Sequence, residues 1–248
     1  MPSISAVLPA FNEEKIIAAS ATSMAATLAD LTDDYEVVVV DDGSRDATRQ
    51  IVESLSVQDP RIRCISHPVN RGYGAALATG FTAAEKELIF MTDGDKQFDA
   101  REVAGFLPFI DEAEMVIGYR KPRMDTPMRR LNAWGWNLLV RLLFGYVARD
   151  VDCAFKLFRR SVWQGLRVES TGATFSAEFL IRARRRGHHI KELRATHFPR
   201  TAGRATGAKP SVILRAFREL IKLRLTLSRS METREAVEDT TRGETQPF

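Results

Sequence analysis

The chain lacks the residues that would staple a secreted scaffold or build a zinc site. It has two cysteines in 248 residues, Cys64 and Cys153. That is too few for a disulfide framework, and they show no zinc-ligand spacing, which points to a reducing compartment. The four histidines, His67, His188, His189 and His197, show no metal spacing either and read as structural or surface groups. The start, Met1-Pro2-Ser3-Ile4-Ser5, lacks the basic and apolar regions of a signal peptide. No apolar run reaches the roughly 18 residues of a spanning helix. The longest candidate, Leu131 to Val147, is interrupted by Asn132, Asn137 and Arg141. There is no internal repeat, Walker loop or dinucleotide-binding fingerprint.

What is present is enough apolar residue for a core, 44% of the chain, and an uneven distribution of charge. Residues 1–119 carry 9 Lys/Arg against 20 Asp/Glu, and residues 120–228 carry 24 against 7. An acidic first half suits a metal, and a basic second half suits phosphates, an anionic membrane or nucleic acid. A basic nucleic-acid-binding protein would leave the acidic strand ends of the first half without a purpose, so no nucleic acid is expected as partner.

Those strand ends carry the argument. Leu88-Ile89-Phe90-Met91 reads as a short buried strand, and Thr92-Asp93-Gly94-Asp95-Lys96-Gln97 follows it. Two carboxylates about 4 Å apart repel by roughly 4 kcal/mol at an effective dielectric of 20. A divalent cation removes that repulsion, and oxygen ligands suit Mg²⁺ or Mn²⁺, which often share their shell with substrate phosphates. Ser3 to Pro9, Tyr35 to Val40 and Arg61 to Ser66 read as further strands, and Met115 to Gly118 and Ala154 to Phe158 as later ones. Helices are expected over Glu13 to Leu31, Asp46 to Ser56, Gly74 to Lys86, Leu131 to Tyr146, Phe175 to Gly187 and Ser211 to Ser228. Alternating β and α units predict a parallel α/β sheet, whose ligands bind outside the carboxyl ends of the strands. Pro9-Ala10-Phe11-Asn12, Asp41-Asp42 and Asp93-Gly94-Asp95 all fall at such ends. Asn70-Arg71-Gly72-Tyr73-Gly74 opens a helix and offers either anion-binding amides or close backbone packing. The last twenty residues, 229–248, are polar and aperiodic and read as a disordered tail.

Several segments in order resemble the family 2 glycosyltransferases of GT-A fold, nearest to the polyprenyl- and dolichyl-phosphate sugar transferases. They are residues 7–14 (Val-Leu-Pro-Ala-Phe-Asn-Glu-Glu), 37–48, 70–81, 93–95, 150–160 and a basic segment from Arg200 to Lys209. The resemblance implies a Rossmann-like, mostly parallel sheet flanked by helices over residues 1–228, with a C-terminal amphipathic helix. Residues 1–119 would form the nucleotide and metal half, and 120–228 the acceptor half. It places Pro9, Phe11, Glu13, Val40 and Asp42 around the nucleoside, and Asp93, Asp95 and Gln97 on the cation with Gly94 between them. Arg120 and Arg129 would lie near donor or acceptor phosphates, Glu178 would orient the arginines or the sugar or be a buried partner for the Arg182–Arg186 cluster, and Arg200 and Lys209 would lie on a loop over the phosphates. Asp95, Asp150 and Arg120 would carry the chemistry.

The family more often has Ala and Leu where Gly94 and Lys96 stand, and Gly where Ala154 stands. The implied reaction is inverting transfer of a hexose from GDP-mannose or UDP-glucose to a polyprenyl phosphate, with mannose placed slightly ahead. A saccharide or other hydroxyl acceptor is the alternative, with Asp150 or Glu178 as base. A sugar nucleotidyltransferase would need an N-terminal glycine- and arginine-rich loop that the chain does not have. Trp134, Trp136, Leu138, Leu139, Leu142, Leu143 and Phe144, with the basic helix 211–228, are expected to rest on an anionic membrane surface. That implies a cytoplasmic, peripheral enzyme on the inner face, with a membrane-protein partner as a possible aid.

Overall fold

Four apolar runs in the first ninety residues become the parallel half of one sheet: β1 (Ile4–Ala10), β2 (Tyr35–Asp41), β3 (Ile62–Ser66) and β4 (Leu88–Met91). The computed structural model describes residues 1–94, 97–199 and 216–227. Every residue of β2 is buried, as expected for a β-branched run covered on both faces. Val38 and Val40 enter one core with Val7, Ile89 and Met91, and Val37 and Val39 enter the opposite one with Ile4, Leu8 and Phe90. The helices α1 (Ile17–Ala29) and α3 (Tyr73–Ala83) cover opposite faces, and α2 (Thr48–Gln58) lies with α1.

The second half adds β5 (Met115–Arg120), β6 (Lys156–Arg159) and β7 (Ile190–Ala195). Among the described residues the sheet has seven strands in the order β3-β2-β1-β4-β6-β5-β7. Strand β6 runs antiparallel to both β4 and β5, and β5 pairs parallel with β7. The helices α4 (Pro127–Phe144), α5 (Arg160–Gln164) and α6 (Phe175–Arg185), with α7 (216–227), complete the layers. Leu220, Leu223 and Leu227 bury one face of α7 in the same core as α6. The Thr174 hydroxyl bonds the Glu219 carboxylate, and Arg185 donates to the Leu227 carbonyl at 3.2 Å.

Two differences from the sequence expectation have clear causes. Helix α1 starts four residues later than predicted because the amides of Asn12, Glu13 and Glu14 donate to side chains of Ser44, Thr48 and Asp46 instead of entering a helix. Strand β7 was not expected. Its sequence, Ile-Lys-Glu-Leu-Arg-Ala, carries charge because it is an edge strand, where charged side chains blunt further pairing. Two 3₁₀ turns, at Ala100–Gly105 and Leu107–Phe109, connect β4 to β5. The expected disordered tail at 229–248 lies outside the described residues.

Close packing of α3 on the sheet needs a glycine. A Cβ at Gly80 would fall inside contact distance of Val7 Cγ1 and lie 3.1 Å from Val40 Cγ2. Overpacking of this kind costs about 1–3 kcal/mol, partly offset by about 1 kcal/mol of helix propensity. Gly80→Ala is therefore expected to destabilise the protein by up to about 2 kcal/mol, read as a lower urea midpoint at unchanged slope.

Candidate active site

The carboxyl edge of the parallel strands gathers the predicted residues into corners. At the first, the chain leaving β1 is stapled to the chain leaving β2. Asn12 takes a left-handed φ of 56°. Its amide donates to Ser44 Oγ at 2.9 Å, and its Oδ1 accepts from the Arg45 amide at 2.9 Å. The Glu13 amide donates to Thr48 Oγ1 at 2.8 Å. Phe11 stands exposed on this rim, while Pro9 pairs in register with Val40. Val40 itself has no exposed surface. The expectation that it meets a nucleoside is corrected: its side chain is core, and its task is to seat the strand end.

Asp42 is drawn inward as a clamp. Its carboxylate accepts from the amides of Arg71 and Gly72, both at 2.8 Å, and lies 2.7 Å from His67 Nδ1. A carboxylate only accepts, so Nδ1 is the donor there, and Nε2 lies 2.9 Å from Thr79 Oγ1. The expected contact of Asp42 with a base edge therefore gives way to a grip on the glycine loop.

That grip also decides what the glycines do. A Cβ at Gly72, whose φ is +102°, would sit 2.6 Å from the Thr171 carbonyl oxygen. One at Gly74 would sit 2.7 Å from Phe175 Cβ and 2.9 Å from the Ser170 carbonyl oxygen. The Ala75 amide donates to Thr171 O at 3.2 Å. With the amides of Arg71, Gly72 and Ala75 already partnered, the loop packs its backbone on residues 170–171. Glu178 holds that facing segment. Its buried carboxylate accepts from the amides of Glu169 (3.1 Å) and Ser170 (2.8 Å) and from Arg182 Nε (2.6 Å). Of the roles expected for Glu178, the buried partner of the Arg182–Arg186 cluster is the one seen, through Arg182, and its remaining contacts are to the backbone of residues 169–170.

The metal corner lies at the end of β4. Asp93 is partly exposed and accepts from the Tyr73 hydroxyl at 2.8 Å. The Gly94 carbonyl accepts from Ser20 Oγ at 2.5 Å. Asp95 lies outside the described residues, as do Arg200 and Lys209. Gln97 is buried, with its Nε2 3.2 Å from His197 Nε2 and 3.3 Å from the Phe198 carbonyl oxygen. It ties the metal segment to the chain that follows β7.

The fourth corner is a buried ion pair. Asp150 accepts from Arg120 Nε and Nη2, each at 2.7 Å, and from the Arg120 amide at 3.2 Å. Burial pulls the Asp150 pKa upward, but the hydrogen bonds and charge of Arg120 outweigh it and hold the group below the usual carboxylate range. A carboxylate kept ionised this way is a poor base, which removes Asp150 from the role it would need with a hydroxyl acceptor.

Three groups beside this pair were given no role in the sequence reading. Lys156 is fully buried and donates to the Cys153 carbonyl. Burial lowers its pKa, against the pull of the charged groups around it, Asp152, Asp150 and Asp93 among them. The one available signal was a lysine inside the apolar run Ala154-Phe155-Lys156-Leu157-Phe158. Burial pushes the Cys153 thiol up to about 12, so it is inert. Asp152 is open to solvent on one side and accepts from Trp136 Nε1 at 3.2 Å. Desolvation by the protein packed around the rest of it, then the Asp150 charge, push it up to about 6.

The same chain matches the model of glycosyl transferase family 2 over residues 5–166. The chain belongs to that family. It is 31% identical to the dolichyl-phosphate beta-glucosyltransferase of Trichomonas vaginalis over 207 residues, covering 77% of this chain and 64% of that protein. It is 30% identical to the undecaprenyl-phosphate 4-deoxy-4-formamido-L-arabinose transferase of Pseudomonas fluorescens, over 81% of this chain and 58% of the relative. This family 2 chain thus spans about three-fifths of the length of those relatives. Its fold matches glucosyl-3-phosphoglycerate synthase of Mycobacterium tuberculosis, solved with Mn²⁺, uridine diphosphate and phosphoglyceric acid. The TM-score is 0.70 at 20% identity, over 90% of this chain and 78% of that one. The GT-A architecture expected from sequence is therefore present.

The raised pKa of Asp152 has a consequence for stability. Its folded value of about 6 lies above the ordinary carboxylate value, which is roughly 3.9 in an unfolded chain. The stabilising neutral form is fully present below about pH 4 and is lost as pH rises through about 6. Asp152→Asn is expected to flatten the fall in Tm between those two pH values, measured by thermal melts of wild type and variant across that range.

Proposed function

We propose that the protein moves a hexose from a nucleotide-diphosphate sugar to a polyprenyl phosphate, with inversion at the anomeric carbon. The observation that carries this reading is the pairing, at one edge of the sheet, of a carboxylate corner with a guanidinium corner. Asp93 lies at the end of β4, and Arg120 lies at the end of β5 beside Arg129 in the first turn of α4. Carboxylate oxygens are hard donors and fit Mg²⁺ or Mn²⁺, which Asp93 would hold with Asp95 and Gln97. Such a cation, when bound, neutralises charge on the departing diphosphate.

The protein's own contribution is placement. The stapled rim with Phe11 and Glu13 receives the nucleoside, the Tyr73 hydroxyl fixes Asp93, and the arginines orient the acceptor. A phosphate monoester carries about −1.5 to −2 charge near pH 7 and attacks without a base, which accords with Asp150 being locked to Arg120. The two relatives named above are called transferases of dolichyl and undecaprenyl phosphate, both polyprenyl phosphates. The first of them is a glucosyltransferase, so we place UDP-glucose ahead of GDP-mannose, reversing the order read from sequence.

The acceptor is a membrane lipid in this reading, and two exposed apolar stripes provide for it. One is Met128, Leu131, Trp134, Leu138 and Leu142 on α4, and the other is Phe217, Ile221 and Leu225 on α7, beside Arg218, Lys222 and Arg224. Tryptophan suits the interface, and each cation near an anionic bilayer adds about 1 kcal/mol. Trp136, Leu139, Leu143 and Phe144, expected to join this surface, pack instead on the core. No helix among the described residues is long and apolar enough to cross a membrane. We propose peripheral docking on the inner face.

One observation favours a second reading. Asp152, open to solvent with a pKa of about 6, suits a general base for a hydroxyl acceptor. Assays with UDP-glucose or GDP-mannose and Mn²⁺, offering either undecaprenyl phosphate or soluble saccharides, separate the two. The expected result is chelator-sensitive glucosyl transfer to the lipid, with Asp93→Asn reducing kcat/KM by at least about 100-fold, a loss of roughly 3 kcal/mol. Transfer to saccharides alone, or an Asp93→Asn enzyme at full activity, would sink the first reading.

A further inference from the structure

Between β5 and α4 the chain makes a short loop, and its single carboxylate gathers three arginines. Asp125 is almost wholly buried, with 1% of its side chain exposed. Its Oδ2 lies 2.7 Å from Arg123 Nε and 3.8 Å from Arg120 Nη1, and its Oδ1 lies 3.0 Å from Arg129 Nη1. Asp150 contributes a second bridge, 2.7 Å from Arg120 Nη2 and 3.5 Å from Arg123 Nη1. Arg120 and Arg123 therefore each span both carboxylates. Arg129 reaches Asp125 alone and is the most exposed of the three, at 37% of its side chain against 10% and 21%.

The contact with Arg129 is unusual. Asp125 Oδ1 has no hydrogen-bond partner among the described residues, although a guanidinium nitrogen stands 3.0 Å away. The distance is that of an ion pair, and the angle is not that of a hydrogen bond. The N–H groups of Arg129 are thus held by charge near Asp125 but aimed elsewhere. Three cations around two carboxylates leave a residual positive charge, and a guanidinium with unspent donors suits a bidentate oxyanion.

We propose that Asp125 is a positioning residue that holds Arg120, Arg123 and Arg129 as one cradle for the acceptor's phosphate. This rests on the acceptor reading above. Without a central anion, three neighbouring guanidinium groups repel and splay. With Asp125 among them they stay together while the site is empty, and a dianion joins an arrangement that is already formed. Arg123, absent from the sequence expectation, becomes the third member. In that reading the loop belongs to the acceptor half, so Asp125 is expected to act on acceptor binding and not on the donor.

The test compares Asp125→Asn with wild type as the full chain, using calorimetry with geranyl phosphate as a soluble prenyl phosphate and with UDP plus Mn²⁺ as the donor probe. The expected result is about tenfold weaker geranyl phosphate binding with UDP affinity within about twofold, and in turnover a raised acceptor KM at nearly unchanged donor KM. A merely structural role would weaken both ligands together, and that outcome, or unchanged acceptor binding, overturns the cradle. Should Asp125→Asn fail to fold, Asp125→Glu keeps the charge and displaces it by one methylene. It is expected to weaken the acceptor alone by about threefold, and equal effects on both ligands count against the proposal. If wild type neither binds geranyl phosphate nor transfers to lipid, the acceptor reading fails. Inorganic phosphate then decides the cradle: binding that Asp125→Asn weakens about tenfold supports it, and absent or unaltered binding overturns it.

Discussion

The buried pair between Arg120 and Asp150 is the contact on which the rest of the site depends. It joins the end of β5 to the turn before β6 through two side-chain bonds of 2.7 Å and a third from the Arg120 amide. Removing one partner of such a pair leaves an uncompensated buried charge, typically a loss of about 3–5 kcal/mol. Its influence spreads through the neighbouring charges. Burial and then the Asp150 charge raise the pKa values of Asp152 and Cys153, and burial and then Arg120 lower that of His197. Arg120 and Arg123 also carry the pair's field to Asp125, and so to the start of α4.

The other corners follow the same rule: each carboxylate turned inward is saturated by donors from the chain segment it must hold. Asp42 grips the amides of Arg71 and Gly72, and Glu178 grips those of Glu169 and Ser170. Those two segments then meet, with Gly72 and Gly74 against the carbonyls of Thr171 and Ser170. A continuous set of backbone clamps runs from the end of β2 to α6, and through Thr174 and Glu219 to α7. These polar bonds rim the apolar cluster of Phe81, Phe175 and Phe179 that lies between α3 and α6. Asp93 is different: it is partly exposed and meets the Tyr73 hydroxyl, as suits a group whose oxygens face a ligand.

Much of this was legible in the primary structure. The runs that form β1, β2 and β4 are apolar and bounded by turn residues, so burial on both faces announces them. The strand-end placement of Phe11, Asp42 and Asp93 follows from that reading alone. Less legible were features whose signal is a partner far along the chain. Strand β7 is hidden by its edge charges. Lys156 shows as one odd residue in a strand, but its neighbours Asp152 and Cys153 give no hint that they crowd around it. Asp125 reads as an ordinary turn aspartate until the fold brings Arg120, Arg123 and Arg129 to it.

The sequence by itself determined the alternation of strand and helix, the acidic and basic halves, and the family, because periodicity, local charge and ordered motifs are properties of neighbouring residues. Only the tertiary structure decided which carboxylates are buried among donors and hold chain segments together, and which stay partly exposed. Asp42, Asp93, Asp150 and Glu178 look alike as letters. Their surroundings diverge because hydrogen-bond donors from distant segments hold Asp42, Asp150 and Glu178 inside the protein, whereas Asp93 is partly exposed at the end of β4. A carboxylate's chemistry is set by what surrounds it, and that is known only once the chain has folded.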